Sequence, residues 1–124
     1  MKLGDKSSEV TLIFYLNTQN RLIRCDMPGS GSVDAVNIYP SEVAKTALLC
    51  GAHSVVLCHN HPGGTFLPSR DDDAVTFDIS KALASLGIVL LDHVIVSRFG
   101  FYSYRMHEHE RGRGCMLTKL KEGE

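Results

Sequence analysis

The sequence predicts an α/β or α+β sandwich, in which helices flank a mixed β-sheet. Short β-branched, apolar runs alternate with segments whose apolar residues recur at helical spacing. The length of 124 residues fits one compact domain. The composition is ordinary, with 44% hydrophobic and 22% charged residues and a formal net charge of −1. This balance gives no global electrostatic case for binding nucleic acid or an anionic membrane.

The first half of the chain contains three predicted strands and one predicted helix. The run EVTLIFYLN (9–17) is β-rich and mostly apolar, which predicts a buried strand. A turn near Asn20 leads to a partner strand, and the alternating VDAVNIY (33–39) predicts a half-buried third strand. Pro40 and Ser41 then open a helix, with Ser41 as its expected N-cap.

The second half contains three predicted strands and a longer helix. SVVLCH (54–59) is a short β-branched strand, and residues 70–87 have the spacing of a helix that stops at Gly87. IVLLDHVIV (88–96) predicts a core strand, and FYSYR (101–105) predicts a last one. The predicted order is therefore β-β-β-α-β-α-β-β.

Residues 1–105 form the predicted domain, and residues 106–124 form a polar tail of mixed charge. No run approaches ~18 apolar residues, so we expect no membrane-spanning helix. The N-terminus lacks the apolar stretch of a signal peptide. The four cysteines are scattered without a C-x-x-C pair, which favours reduced thiols in a cytoplasmic protein.

The segment HNHPGGTFLPSRDDD, which begins at His59, carries the candidate chemistry. On an extended strand, residues i and i+2 point to one side, so His59 and His61 can reach one metal ion. Zinc usually takes a third protein ligand, which an aspartate at the start of the next helix would supply. Local physics leaves an alternative open, in which Ser69 and Asp72 form only a capping box and the aspartates only complement the helix dipole.

The spacing H-x-H-x7-S-x2-D resembles that of JAMM metalloproteases of the JAB/MPN fold. The pieces HNHPGG, LGIVLLDHVIV and VTLIFYLNTQNRL are similar to the RadC branch of that fold, a bacterial family historically labelled a DNA repair protein. The resemblance covers roughly residues 9–105. It implies a cytidine-deaminase-like sandwich that holds one zinc ion.

The resemblance also implies roles for individual residues. His59, His61 and Asp72 would hold Zn²⁺, which activates water for hydrolysis. Glu9, just before the first strand, would accept the water's proton and pass it to the leaving amine. Ser69 would donate a hydrogen bond to the oxyanion of the tetrahedral intermediate, a role that competes with helix capping for the same hydroxyl.

Other acids are weighed against these assignments. Asp26 and Glu42 stay open as rivals of Glu9, although Glu42 is more simply a first-turn helix acid. Of the three consecutive aspartates at the start of the second helix, Asp72 alone has the family's spacing from the two histidines. Successive helical residues are turned by about 100°, so Asp71 and Asp73 are predicted to be helix-start charges.

The remaining histidines receive structural interpretations. Asp92 and His93 match a RadC-type LDH segment, and a buried polar pair is favoured over a role in orienting a zinc ligand. His107 and His109 form another H-x-H pair in the polar tail, and they are predicted to be solvated because no third ligand accompanies them.

The sequence hypothesis is a zinc-dependent metallohydrolase that cleaves peptide or isopeptide amide bonds in a peptide or protein substrate. One alternative is a DNA-associated accessory protein, with weak DNA association through a basic face. Another is a non-catalytic JAB-fold interaction module. The candidate basic face consists of Arg21, Arg24, Arg98, Arg105, Arg111 and Arg113. The family's usual proline-arginine-glutamate is Pro40-Ser41-Glu42 here, and the N-terminal helix-hairpin-helix-like region of longer members is not expected.

Overall fold

The computed structural model describes residues 9–28 and 38–107. These residues form five strands in one mixed sheet, in the order β2-β1-β3-β4-β5, together with two helices. The fold class predicted from the sequence is confirmed. The elements are β1 (Thr11–Leu16), β2 (Leu22–Asp26), α1 (Pro40–Cys50), β3 (Ser54–Asn60), α2 (Arg70–Ala84), β4 (Val89–Ser97) and β5 (Gly100–Ser103).

The centre of the sheet is the parallel pair β3 and β4, while the other neighbouring strands are antiparallel. Parallel strands need a crossover connection, and α2 supplies it. On either side of His59 lie Thr11 of β1 and Ile95 of β4. The C-terminal end of β3 therefore lies between two neighbours and opens onto the loop that leads to α2.

The core lies between one face of the sheet and both helices. Along β1, buried side chains such as Ile13 and Tyr15 alternate with partly exposed ones. Ala47 of α1 and Ile79 and Leu83 of α2 are completely buried in the same cluster. Each helix buries one stripe of its side chains in this core. The polar N-terminal turn of α2 remains outside the core, beside the C-terminal end of β3.

Helix α1 starts two residues earlier than a Ser41 N-cap would place it. Its N-cap is Tyr39, which makes no side-chain cap hydrogen bond, and Ser41 lies inside the first turn. Pro40 occupies the first turn, where its fixed φ favours a helix and its missing N–H costs nothing. The preference of serine for N-caps was therefore overridden by the preference of proline for the first helical position.

The predictions for the strand 33–39, for the polar tail 106–124 and for His109 fall partly or wholly outside the described residues. Of the predicted strand 33–39, residues 33–37 lie outside, and Ile38 and Tyr39 lead into α1 without strand structure. His109 also lies outside. The prediction for His107 is wrong, because its ring is partly buried and stacks on Tyr102 with centroids 4.1 Å apart. In the part of the chain that the structure describes, neither helix is long and apolar enough to span a bilayer.

Candidate metal centre

Two histidines and one aspartate converge at the end of β3. Nε2 of His59 lies 3.0 Å from Nε2 of His61 and 3.1 Å from Oδ1 of Asp72. Nε2 of His61 lies 3.0 Å from Oδ2 of Asp72. The three ligand atoms lie within 4.8 Å of one another. Two imidazole nitrogens and one carboxylate oxygen in this arrangement can hold a divalent metal ion.

Asp72 reaches the histidines because a capping box starts α2. The Ser69 hydroxyl accepts a hydrogen bond from the Asp72 N–H at 3.0 Å, and the Asp72 carboxylate accepts one from the Ser69 N–H at 2.8 Å. Asp72 thus closes the capping box and also belongs to the cluster that could hold a metal ion, so the two predicted alternatives are compatible. Burial alone would raise the pKa of the Asp72 carboxyl, but the neighbouring His59 imidazole and the hydrogen bond from the Ser69 N–H outweigh it and hold that pKa well below its usual range. The carboxylate thus stays ionised and ready to bind a cation.

The loop after β3 orients His61. Its Nδ1 lies 3.1 Å from the carbonyl oxygen of Thr65, which can only accept a hydrogen bond. Nδ1 therefore carries the ring proton, and Nε2 presents its lone pair to the cluster. The turn that brings Thr65 back depends on Gly64, whose φ of 96° is left-handed. A Cβ there would also lie 2.9 Å from the ring of Phe99.

Glu9 lies at the edge of the same cavity, which has a volume of about 440 Å³. Its Oε1 is 4.0 Å from Nε2 of His59, and its side chain is 43% exposed. The rivals Asp26 and Glu42 instead line a separate cavity beside β1, β2 and α1. Of the three acids, the structure brings only Glu9 to the candidate ligands.

The Glu9 backbone is anchored by the residue between the two histidines. Asn60 is fully buried and points away from the ligands, as strand alternation predicts. The side-chain oxygen of Asn60 accepts a hydrogen bond from the Val10 N–H at 2.5 Å. The backbone N–H of Asn60 donates to the Val10 carbonyl at 3.3 Å. Thr11 is paired with His59 in the sheet. These contacts fix where Glu9 enters the site.

Ser69 lines the cavity with the candidate ligands. The two roles predicted for Ser69 make different demands on its hydroxyl group. In the cap, the hydroxyl oxygen accepts a hydrogen bond from Asp72, which uses a lone pair and not the hydroxyl proton. Ser69 can therefore cap α2 and still donate a hydrogen bond into the cavity.

The other two aspartates differ from each other. Asp71 is exposed and lines the cavity without joining the ligand cluster. Asp73 is more than the predicted helix-start charge, because its carboxylate accepts a hydrogen bond from the Tyr104 hydroxyl at 2.6 Å. Burial and this carboxylate both raise the pKa of Tyr104, which keeps the phenol protonated as a donor.

His93 contacts a candidate ligand, although the sequence favoured a purely structural interpretation. Its Nε2 lies 2.7 Å from Nδ1 of His59, and its ring stacks on Tyr104 with an interplanar angle of 7°. Burial, followed by the electrostatic effect of the neighbouring His59, lowers the pKa of His93 to about 3. His93 is therefore a neutral imidazole beside His59.

Asp92 fits the structural interpretation. One carboxylate oxygen accepts hydrogen bonds from the backbone N–H groups of His93 and Arg105, at 2.8 and 3.0 Å. The other accepts from the Ser103 hydroxyl at 2.6 Å. These bonds tie β4 to the end of β5 and satisfy the carboxylate.

Sequence reasoning missed Thr76. It is fully buried on α2, and its hydroxyl contacts both the Asp72 carbonyl and His93. Its position four residues after Asp72, on the same face of the helix, was the available signal.

Comparison with known proteins gives a consistent family relationship. A sequence model described as "RadC-like JAB domain" matches residues 1–110. Three similar relatives are each named "UPF0758 protein". The one from Streptococcus sanguinis (strain SK36) is 42% identical over 84% of this chain and 46% of the relative. Those from Chlorobium chlorochromatii (strain CaD3) and Janthinobacterium sp. (strain Marseille) are 37% and 38% identical, over 90% and 86% of this chain.

The chain spans about half the length of these curated relatives, since each alignment covers 46–48% of the relative. The matched region contains every residue of the candidate metal centre. The mixed sheet with two helices agrees with the fold of this family. On the family match and these identities, the chain belongs to the RadC-like JAB domain family.

Proposed function

We propose that this protein is a zinc-dependent metallohydrolase that cleaves peptide or isopeptide amide bonds. One observation carries the proposal: three candidate ligand atoms and the Glu9 carboxylate meet in one cavity. Three protein ligands with two imidazoles and one carboxylate are typical of catalytic zinc sites, which keep a further position open. A structural zinc site would instead be closed by a fourth protein ligand.

Zinc held by His59, His61 and Asp72 would lower the pKa of water from 15.7 to about 7. The chain's own residues supply the remaining chemistry. Glu9 is partly exposed and close to the ligands, so its carboxylate can accept a proton and deliver it to a leaving amine. The Ser69 hydroxyl, which uses only a lone pair in the cap, can donate a hydrogen bond to a developing oxyanion.

The cavity lining supports a peptide over a nucleic acid as the substrate. Among its described lining residues, Glu9, Asp71 and Asp78 add negative charge beyond the candidate ligands, and none is lysine or arginine. A phosphate backbone would be repelled there. Of the arginines proposed for a basic face, Arg24 pairs with Asp26 at 2.8 Å, and Arg105 donates to the carbonyl of Leu91. Arg111 and Arg113 lie outside the described residues.

We place this activity in the cytoplasm. The cysteines in the described part of the chain, Cys25, Cys50 and Cys58, are free thiols, which suits a reducing compartment.

The activity is tested by metal analysis of the purified protein, followed by a screen of peptides and of ubiquitin-like proteins joined through isopeptide bonds. Zinc-dependent cleavage that a chelator abolishes would support the proposal. A zinc-loaded protein that cleaves none of them would favour the non-catalytic module.

Among the three aspartates, Asp72→Asn should weaken zinc binding most. It neutralises a ligand whose two oxygens face His59 and His61. We expect an affinity loss of more than about 100-fold, beyond the 10–100-fold typical of residues that only contact ligands. Asp71→Asn is the matched control, since it removes the same charge from the neighbouring residue and should change affinity less than about threefold. The zinc affinities of the two variants, measured by chelator competition, test the ligand assignment. Release of zinc by Asp71→Asn, with Asp72→Asn unaffected, would refute the ligand assignment.

A further inference from the structure

A chain of three hydrogen bonds links the backbone of Asp72 to the ring of His59. The Thr76 hydroxyl donates to the Asp72 carbonyl at 2.6 Å, and the same oxygen lies 2.5 Å from Nδ1 of His93. Nε2 of His93 lies 2.7 Å from Nδ1 of His59. The chain thus starts and ends at residues of the candidate metal centre.

The direction of every bond in this chain follows from its first member. A carbonyl can only accept, so the single hydroxyl proton of Thr76 is committed to Asp72. The Thr76 oxygen must then accept from Nδ1–H of His93, which leaves Nε2 of His93 as an acceptor. That acceptor requires the proton of His59 to be on Nδ1. Nε2 of His59 consequently presents a lone pair toward Asp72 and His61.

The surroundings prevent a simple rearrangement of this chain. Thr76 is completely buried and His93 is 3% exposed, so water cannot easily replace a missing partner. The Tyr104 ring stacks on His93, and the Tyr104 hydroxyl is held by Asp73. The orientation of the His93 ring is therefore fixed by contacts that do not involve the metal centre itself.

We propose that Thr76 and His93 are positioning residues that hold His59 in the Nδ1–H tautomer and so reserve its Nε2 for the metal ion. The inference rests on the proposed metal site. It differs from that proposal because it concerns the state of His59 before any metal binds. It can therefore fail or hold whatever bond the protein cleaves.

The test compares Thr76→Val, which keeps the shape and removes the hydroxyl, with Thr76→Ser, which keeps the hydroxyl. The ring-nitrogen shifts of ¹⁵N-histidine in the metal-free protein report the His59 tautomer at about pH 8, where an ordinary imidazole is neutral. We expect mainly Nδ1–H in the wild type and in Thr76→Ser, and a mixture of tautomers in Thr76→Val. Zinc affinity should fall roughly 10–100-fold in Thr76→Val and recover in Thr76→Ser. Ser80→Ala, at a buried hydroxyl one turn along α2, is the control and should change neither quantity.

A second variant separates positioning from packing. His93→Phe keeps a ring against Tyr104 but removes both nitrogens. If the three hydrogen bonds act as a unit, adding Thr76→Val to His93→Phe should cause no further loss of zinc affinity. The Thr76 hydroxyl then no longer has an imidazole to orient. Additive losses, or a His59 tautomer unchanged by Thr76→Val, would overturn the inference. A wild type without peptidase activity would leave these readouts intact and count only against the proposed reaction.

Discussion

Replacing His59 and His61 together by alanine should reduce zinc content from about one ion per chain to none. The two rings supply both nitrogen donors of the candidate centre, and Asp72 alone cannot hold zinc tightly. The metal content of purified protein, measured by mass spectrometry after dialysis, gives the result directly. Circular dichroism checks that the variant is folded, which we expect because both rings line the cavity and neither belongs to the apolar core cluster.

The control for this experiment is a histidine that lies elsewhere. His53 is exposed in the turn before β3, so His53→Ala should retain full zinc content. His107→Ala tests the second H-x-H pair in the same way, and it should also retain zinc. Undiminished zinc in the double variant, together with loss in His107→Ala, would move the metal site to the tail.

Changing Glu9 to glutamine should leave zinc bound and remove most hydrolysis of any substrate that the wild type cleaves. Glutamine keeps the shape of the side chain but cannot accept a proton, and general-base catalysis typically contributes 10²–10⁴-fold. A rate loss of about that size is expected, with zinc affinity changed little because Glu9 is not among the candidate ligands. Initial rates and metal content measured on the same preparation separate the two effects.

The rival acids provide matched controls for Glu9. Asp26→Asn and Glu42→Gln neutralise carboxylates in the neighbouring cavity and should keep most of the activity. If Glu9→Gln is as active as the wild type while one of these variants is inactive, the general base has been assigned to the wrong residue.

Much of the candidate site follows from the sequence because its ligands obey local rules. Strand alternation places His59 and His61 on one side, and the Ser69 cap fixes the register in which Asp72 faces them. The family resemblance added Glu9, whose own sequence context is only an acid before an apolar run. Its position depends on pairing between β1 and β3, which joins residues some fifty positions apart.

Other features could not be predicted because they depend on which distant side chains meet. Periodicity places Thr76 on the buried face of α2, but it does not show that His93, on β4, lies opposite it. The Asp73–Tyr104 bond joins residues 31 positions apart and turns a helix-start charge into an anchor. Local competition also misleads, as at the start of α1, where proline and not serine sets the boundary.

The hydrogen bonds between Asn60 and Val10 bear on how the ligand cluster and Glu9 come together when the chain folds. The three candidate ligands all come from the single stretch of β3, its following loop and the start of α2. Glu9 joins them only when β1 docks beside β3. The candidate ligands therefore belong to one contiguous stretch of sequence, whereas the proposed proton acceptor is added by pairing across the sheet. Under the proposed function, proton transfer by Glu9 would therefore require the completed sheet.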